Sequence, residues 1–404
     1  MINKTYNTLL IGGSESGKTQ NYVKPTILNT DCSYIINDPA GEIFKLTGDY
    51  LKSKGYDIQI LDLLGVKEKY NPFYYIETEE DVIDMVYCIM KNTNQCESYD
   101  DPFWEKPETA FLSALCFYVI EKMPKDKQNF TSVIKLINEC EIKEEDLEYK
   151  NNIDILIDEL EKEYPNSNAV RYWKIFKLAP NKTAMNILVS VGIRLSVFNT
   201  HAIQELTETN TLNLETIGDK KTALFVISSN IEKYSFITSI FYSQLMNVLS
   251  KKKHTQEQIK VIFDEFPNIG YIPNIYEKMK NTKNISYVLV IQALEQLFEI
   301  YGENFDDIFE NIDRVYMFKY NDWFYHKSTT SFILNKMELS DKEINVWKSN
   351  NCDCICFIKN DDITYCNKYE LLNVNTESKS NILKGVIIGG AVVGTIALLI
   401  KKLK

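Results

Sequence analysis

The chain has 404 residues, 45% hydrophobic and 25% charged, a profile that excludes a disordered or fibrous protein and suits one large or two medium globular domains. A formal net charge of −11 excludes a global positive field, so any contact with nucleic acid must come from local patches. Nine scattered cysteines argue against a secreted disulfide framework and for reduced thiols in a cytosolic body.

Met1 and Ile2 are followed by Asn3, Lys4 and then a short apolar run, which is not the pattern of a secretory leader. That run, Thr8–Ile11, reads as a buried strand. Directly after it Gly12-Gly13-Ser14-Glu15-Ser16-Gly17-Lys18-Thr19 fits G-x-x-x-x-G-K-[ST], with a helical segment following as this motif requires. The spacing has a physical reason. Glycines let backbone N–H groups curl around a β-phosphate, the helix N-terminus adds its positive end, Lys18 spans the β- and γ-phosphates, and the Thr19 hydroxyl faces Mg²⁺. ATP and Mg²⁺ are therefore the expected cofactors.

Apolar runs at Ser33–Asn37 and Ile58–Asp62 read as further parallel strands. From about Glu79 to Glu208 the strand pattern stops and helical periodicity takes over, in segments such as Glu108–Glu121, Ile153–Glu163 and Thr183–Phe198. Strands resume at Thr222–Ser228, Lys260–Asp264, Ser286–Gln292 and Arg314–Lys319. An edge hairpin follows, Cys354–Lys359 and Ile363–Tyr369, around Asn360-Asp361-Asp362. This is the rhythm of a doubly wound α/β fold. The expected organisation is a discontinuous nucleotide-binding sheet domain, 1–78 and 209–372, with an all-α insert at 79–208. A tether at 373–383 leads to a C-terminal transmembrane helix at 384–402.

Ile259-Lys260-Val261-Ile262-Phe263-Asp264-Glu265 supplies the second half of a nucleotide site, an apolar strand ending in two carboxylates. Asp264 is expected to hold Mg²⁺, directly or through water, and Glu265 to orient and deprotonate the attacking water. The adjacent pair points to repeated turnover, because simple nucleotide switches often lack a base beside the magnesium carboxylate. Gln292, closing the next strand, is expected to sense the γ-phosphate; a surface glutamine is the plainer alternative. Ring ATPases also need a cation from the neighbouring subunit. Only Arg171, Arg194 and Arg314 carry a guanidinium. Arg314 and Arg194 are the first candidates, Arg171 the last, and a structural ion pair or a lysine substitute stays open for each.

Cys352, Cys354 and Cys356 alternate on one strand face with Cys366 nearby. Without a C-x-x-C pair they read as small apolar packing rather than a zinc site. His201, His254 and His326 are too scattered for a catalytic or metal-binding histidine site. Lys251-Lys252-Lys253-His254 reads as a solvated loop before a facing for DNA.

At the other end GVIIGGAVVGTIALLI runs from Gly385 to Ile400 without a charge, between Lys384 and Lys401, Lys402 and Lys404. At about 1.5 Å per helical residue it falls slightly short of a ~30 Å hydrocarbon core. Ile382, Leu383 and snorkelling lysines extend it enough to span. Its glycines would penalise a helix in water but let helices approach closely in a bilayer. The expected location is thus the cell membrane, through a single C-terminal span, with the ATPase body in the cytoplasm.

The motif set resembles the TraG-type coupling proteins of type IV secretion systems. The resemblance rests on the phosphate loop, Asn37-Asp38-Pro39-Ala40-Gly41-Glu42, Leu61-Asp62-Leu63, Tyr70-Asn71-Pro72, Phe103-Trp104, Ala110–Tyr118 and Lys221-Thr222-Ala223-Leu224-Phe225. It continues through Tyr242-Ser243-Gln244-Leu245, Phe263-Asp264-Glu265-Phe266-Pro267-Asn268-Ile269-Gly270, Ile272-Pro273 and Ile291-Gln292-Ala293-Leu294-Glu295-Gln296-Leu297. These runs cover most of residues 1–372 in the family's order. The resemblance implies a homo-hexameric ATPase with a RecA-like P-loop NTPase domain and an all-α domain facing the cytoplasm. It implies single-stranded DNA, a relaxase or other secretion substrate, and the type IV secretion channel as partners. It makes Lys18 and Thr19 the phosphate-loop pair, Asp264 and Glu265 the second motif, and Gln292 the sensor. Family members usually carry transmembrane helices before the phosphate loop. Here the loop begins at Gly12, so the C-terminal segment is expected to replace that anchor. Ala40 stands where the family commonly has a basic residue. Two other readings compete with DNA translocation: an ATPase that recruits or exports protein alone, and a tethered protein that binds ATP without turnover.

Overall fold

The computed structural model describes residues 5–65, 67–93, 102–143, 149–228, 234–252, 255–280, 284–318, 354–358 and 364–366. Its strands are β1 (Thr8–Ile11), β2 (Ser33–Asn37), β3 (Asp57–Asp62), β4 (Thr222–Ile227), β5 (Ile259–Phe263), β6 (Ile285–Ile291), β7 (Arg314–Phe318), β8 (Cys354–Ile358) and β9 (Thr364–Cys366). They form one sheet in the order β3-β4-β2-β5-β6-β1-β7-β8-β9. The first seven in that order are parallel, and β8 and β9 add an antiparallel edge. Parallel strands covered on both faces must be apolar nearly throughout, which is why these runs were continuous rather than alternating.

The helices in chain order are α1 (Lys24–Asn29), α2 (Glu42–Ser53), α3 (Glu79–Asn92), α4 (Pro102–Lys122), α5 (Phe130–Glu139), α6 (Asn152–Glu163), α7 (Asn168–Phe176), α8 (Asn181–Arg194), α9 (His201–Glu208), α10 (Ser235–Lys251), α11 (Ile275–Lys280), α12 (Glu295–Tyr301) and α13 (Phe305–Glu310). Between β3 and β4 the described residues hold helices and turns but no strand. Polar caps fix where two of these helices start. Thr78 and Asp81 form a reciprocal capping box at α3, as Asn151 and Asp154 do at α6.

Alternate residues of each strand serve two cores. Leu10, Tyr34, Ile36, Ile262, Val288, Val290 and Tyr316 pack under Val23 and Ile27 of the first helical segment and Ile43 and Leu51 of α2. Leu9, Ile35, Val261, Phe263 and Leu289 face the larger core, which runs on through α10 into α3, α4 and the helices beyond. Two separated runs meet here. The Tyr70 hydroxyl donates to Gln244 Oε1 at 2.5 Å, and Gln244 Nε2 donates to the Pro72 carbonyl at 2.9 Å. Asn71 Nδ2 meanwhile donates to the carbonyl of Gln128 at 2.8 Å.

The strands expected to reach Ser228, Asp264 and Gln292 stop one residue earlier, which leaves Asp264 and Gln292 on loops at the carboxyl ends of two central strands. The helix expected over Thr183–Phe198 is α8 followed by a tighter turn, Leu195–Asn199, and the one expected at Glu108 begins at Pro102. Lysines of the 251–254 run make ion pairs, Lys251 with Glu77 at 2.6 Å and Lys252 with Asp219 at 2.9 Å. The tether, the C-terminal apolar segment, Cys352 and the hairpin turn at 360–362 lie outside the described residues. Among the described residues no helix is long and apolar enough to cross a membrane.

Candidate functional site

The loop 12–19 leaves the sheet at the end of β1, and its backbone is shaped by what surrounds it. Gly12 N donates to the Ile291 carbonyl of β6 at 3.3 Å. A Cβ on Gly12 would stand 2.8 Å from Phe318 Cβ and 2.6 Å from Ser16 Oγ, so only glycine fits between β1 and the end of β7. Glu15 at φ 60° and Gly17 at φ 93° are left-handed, and such turns bring successive N–H groups into one concavity. The chain then enters a π-helical turn, Thr19–Val23, before α1. Asn21 braces this entry by donating to the Gly17 carbonyl through both its backbone N (2.8 Å) and its Nδ2 (2.9 Å).

Lys18 Nζ folds back over the loop, donating to the carbonyls of Gly12 and, at 2.8 Å, Gly13. Burial lowers its pKa to about 8, against the opposing pull of Asp264 and Glu265. Ser16 Oγ is buried and has no hydrogen-bond partner among the described residues. A cation, a concave run of amides and an unsatisfied hydroxyl form a donor set that a polyphosphate satisfies.

The second half arrives from β5. Strand order β5-β6-β1 puts one strand between the two motifs, so the β5 tip lies across from the loop rather than beside it. Asp264 N donates to the Asn37 carbonyl at 3.3 Å, and Asn37 Nδ2 donates to the Asp264 carbonyl at 2.7 Å. The Tyr242 hydroxyl of α10 holds Asn37 Oδ1 at 3.3 Å. With its backbone pinned in this way, Asp264 Oδ1 accepts from Thr19 Oγ1 at 3.5 Å, across 245 residues of sequence. Burial first, then the like charges of Glu265 and Asp38, push the Asp264 carboxyl up to about 7, against Lys18 and the Thr19 hydroxyl. The hydroxyl and the carboxylate are hard oxygen donors of the kind Mg²⁺ takes.

Glu265 follows in a left-handed conformation, φ 54° and ψ 55°, and its Oε2 accepts from Asn268 Nδ2 at 2.8 Å. Gln292 is exposed at the tip of the intervening strand, next to the Gly12–Ile291 contact. Its backbone N donates to Gln296 Oε1 at 2.8 Å. The structure thus gathers Lys18, Thr19, Asp264 and Glu265, with Gln292 between the two halves.

Arg314 is not brought there within the chain. It starts β7 in register with Thr8, at the opposite end of β1 from Gly12, with its guanidinium 3.8 Å from the Tyr6 ring centroid. Arg194 pairs with Glu108 at 3.2 Å and donates to Thr93 Oγ1 at 3.3 Å, and Arg171 pairs with Glu79.

Sequence reasoning gave Asp38 no role, yet it is the third carboxylate of this cluster. Only 1% exposed at the end of β2, it accepts from Phe44 N at 2.7 Å at the start of α2, and burial raises its pKa. Its signal, an aspartate ending an apolar strand, was present. What made it a neighbour of Asp264 was the pairing of β2 with β5, which the strand pattern does not reveal.

A family model described as type IV secretory system conjugative DNA transfer matches residues 4–325. Among solved structures, the unbound monoclinic form of the bacterial conjugative coupling protein TrwBdeltaN70 superposes with a TM-score of 0.63 at 11% identity, covering 90% of this chain and 86% of that one. TrwB in complex with ADP and Mg²⁺ gives 0.59 at 12% identity, covering 91% and 80%. VirB4 of Thermoanaerobacter pseudethanolicus gives 0.52 at 11% identity, covering 89% and 88%. At such identities the likeness is one of fold. No curated protein sequence is significantly similar to the chain.

Proposed function

Since the chain belongs to the type IV secretory system conjugative DNA transfer family, we propose that it is an ATP-hydrolysing coupling protein that recruits single-stranded DNA, with its relaxase, and drives it into the secretion channel. The observation that carries this reading is the meeting of Thr19 with Asp264, beside Glu265 and Lys18. TrwB, of the same fold, has been solved with ADPNP and with ADP and Mg²⁺.

In this reading the loop amides and Lys18 bind and orient the β- and γ-phosphates, and the buried Lys18 charge grows more effective as water leaves. Thr19 and Asp264 would hold Mg²⁺, which would neutralise charge on the phosphate oxygens. Glu265 accepts a proton from the water attacking the γ-phosphorus, and Gln292, just past the end of the strand between, registers loss of the phosphate. No arginine of the chain is placed at its own loop. This supports a cation from a neighbouring subunit of a ring, such as a hexamer, with Arg314 tested first. We also propose the division into a RecA-like body (1–78 and 209–372) and an all-α insert (79–208), with membrane attachment through 384–402. The helical stretch between β3 and β4 and the uncharged run Gly385–Ile400 support these assignments.

Steady-state ATP hydrolysis should rise several-fold on adding single-stranded DNA, and the Lys18→Ala variant should show neither basal nor stimulated turnover. Export of protein alone is the second reading, favoured by the net charge of −11. Stimulation by a partner protein with indifference to DNA would replace the first reading by the second.

A further inference from the structure

Glu265 occupies a left-handed backbone conformation, which strains a residue that carries a side chain, so its surroundings must hold it there. The segment that does so runs from residue 266 to 271. Asn268 grips Glu265 twice: its backbone N donates to the Glu265 carbonyl at 2.9 Å and its Nδ2 to Oε2 at 2.8 Å. Phe266 and Ile269 are buried beneath, whereas Asn268 itself is exposed. At the far end of the segment Asn92, the last residue of α3, clamps the backbone of Tyr271 on both sides. Tyr271 N donates to Asn92 Oδ1 at 2.6 Å and Asn92 Nδ2 donates to the Tyr271 carbonyl at 3.0 Å. Ser239 of α10 donates to the same carbonyl, and Thr238 Oγ1 donates to that of Ile269 at 3.2 Å. The end of α3 is tied in turn to α8, where Arg194 Nη1 donates to Met90 O and Thr93 Oγ1 while its Nη2 pairs with Glu108 of α4.

We propose that Asn268 is a positioning residue for Glu265, and that the segment 266–271 makes the orientation of this carboxylate depend on where the end of α3 stands. Holding Oε2 with an amide leaves Oε1 to meet the water, so the grip acts on turnover and not on nucleotide affinity. A shift of α3, driven from the helical region to which α4 and α8 belong, moves the Asn92 clamp and with it the carboxylate. The inference rests on the hydrolytic role proposed above for Glu265.

Four variants of the full chain test it. Asn268→Ala should lower kcat about tenfold with KM, the Kd of a fluorescent ATP analogue and Tm unchanged. Asn268→Asp keeps the shape but removes the donor, so it should lose at least as much, whereas Asn268→Gln, which keeps the amide, should recover part. Asn92→Ala should reproduce the kcat loss, and hydrogen exchange at the amides of 266 and 268–271 should quicken while the phosphate loop is unaffected. Wild-type turnover in Asn268→Asp, or a kcat loss in Asn268→Ala matched by weaker nucleotide binding, would overturn the proposal. Wild-type protein and Glu265→Gln run alongside keep the two readings apart. If wild type turns over and Glu265→Gln does not, a null result at Asn268 removes this inference alone. If Glu265→Gln turns over normally, the hydrolytic role itself is gone.

Discussion

Asp264 is the residue whose chemistry is most exposed to test. Burial and two neighbouring carboxylates raise its pKa from the ordinary 3.8 to about 7, so in the absence of metal it carries a proton through the mildly acidic range. Protons and Mg²⁺ then compete for it, and Mg²⁺ support of nucleotide binding should strengthen close to tenfold for each unit that pH rises toward about 7, flattening above. The sign for folding is opposite. A carboxylate whose folded pKa lies above its unfolded value stabilises the fold at low pH, and that contribution is lost as pH rises from about 4 to 7. In EDTA the wild-type Tm should therefore fall across this window relative to Asp264→Asn, and Mg²⁺·nucleotide should restore it. Parallel pH profiles for the two proteins would refute the buried, coupled carboxyl. Thr19, Lys18 and Asp264 were legible in the sequence because a glycine-rich run and a carboxylate after an apolar strand announce themselves locally. Asn37, Asp38 and Asn268 were not, because their parts depend on which strands pair and how one loop folds back.

At the scale of elements, the seven parallel strands and the closing hairpin were readable from short apolar runs, each to within a residue where described. The order in which they assemble was not, since adjacency follows from crossovers that leave no periodicity. Nor was the π-helical turn after the loop visible, because it is set by a backbone bond from Lys24 N to the carbonyl of Thr19, five residues back, which leaves no mark in the side-chain pattern. Loop chemistry shows most clearly at Gly270, which sits at φ +85° where a Cβ would lie 2.1 Å from Asn92 Oδ1. Gly270→Ala must both strain the backbone and displace the clamp on Tyr271. Urea unfolding should show a loss of about 2 kcal/mol or more. A variant as stable as wild type would mean that Asn92 does not hold this segment.

For the whole molecule, the helices between β3 and β4 form part of the same apolar core as one face of the sheet, through α3 and α10. A segment that reads as an insertion in sequence is thus joined to the nucleotide end by packing as well as by hydrogen bonds. Helical periodicity shows that such a segment buries a face but not against what. Membrane attachment belongs to this scale too. If the run Gly385–Ile400 is the anchor, deleting 384–402 should move the protein from the membrane pellet to the supernatant without loss of nucleotide binding. Persistent membrane association would place the anchor elsewhere.

In the function proposed for it, the chain brings a phosphate loop and a water-activating carboxylate to the same γ-phosphate. Replacing Glu265 by Gln leaves the loop, Lys18, Thr19 and Asp264 in place and removes only the proton acceptor. Single-turnover hydrolysis of bound ATP measured beside the ATP dissociation constant should show binding within about twofold of wild type and hydrolysis reduced by at least about a hundredfold. Hydrolysis at the wild-type rate by this variant would mean that Glu265 does not activate the water.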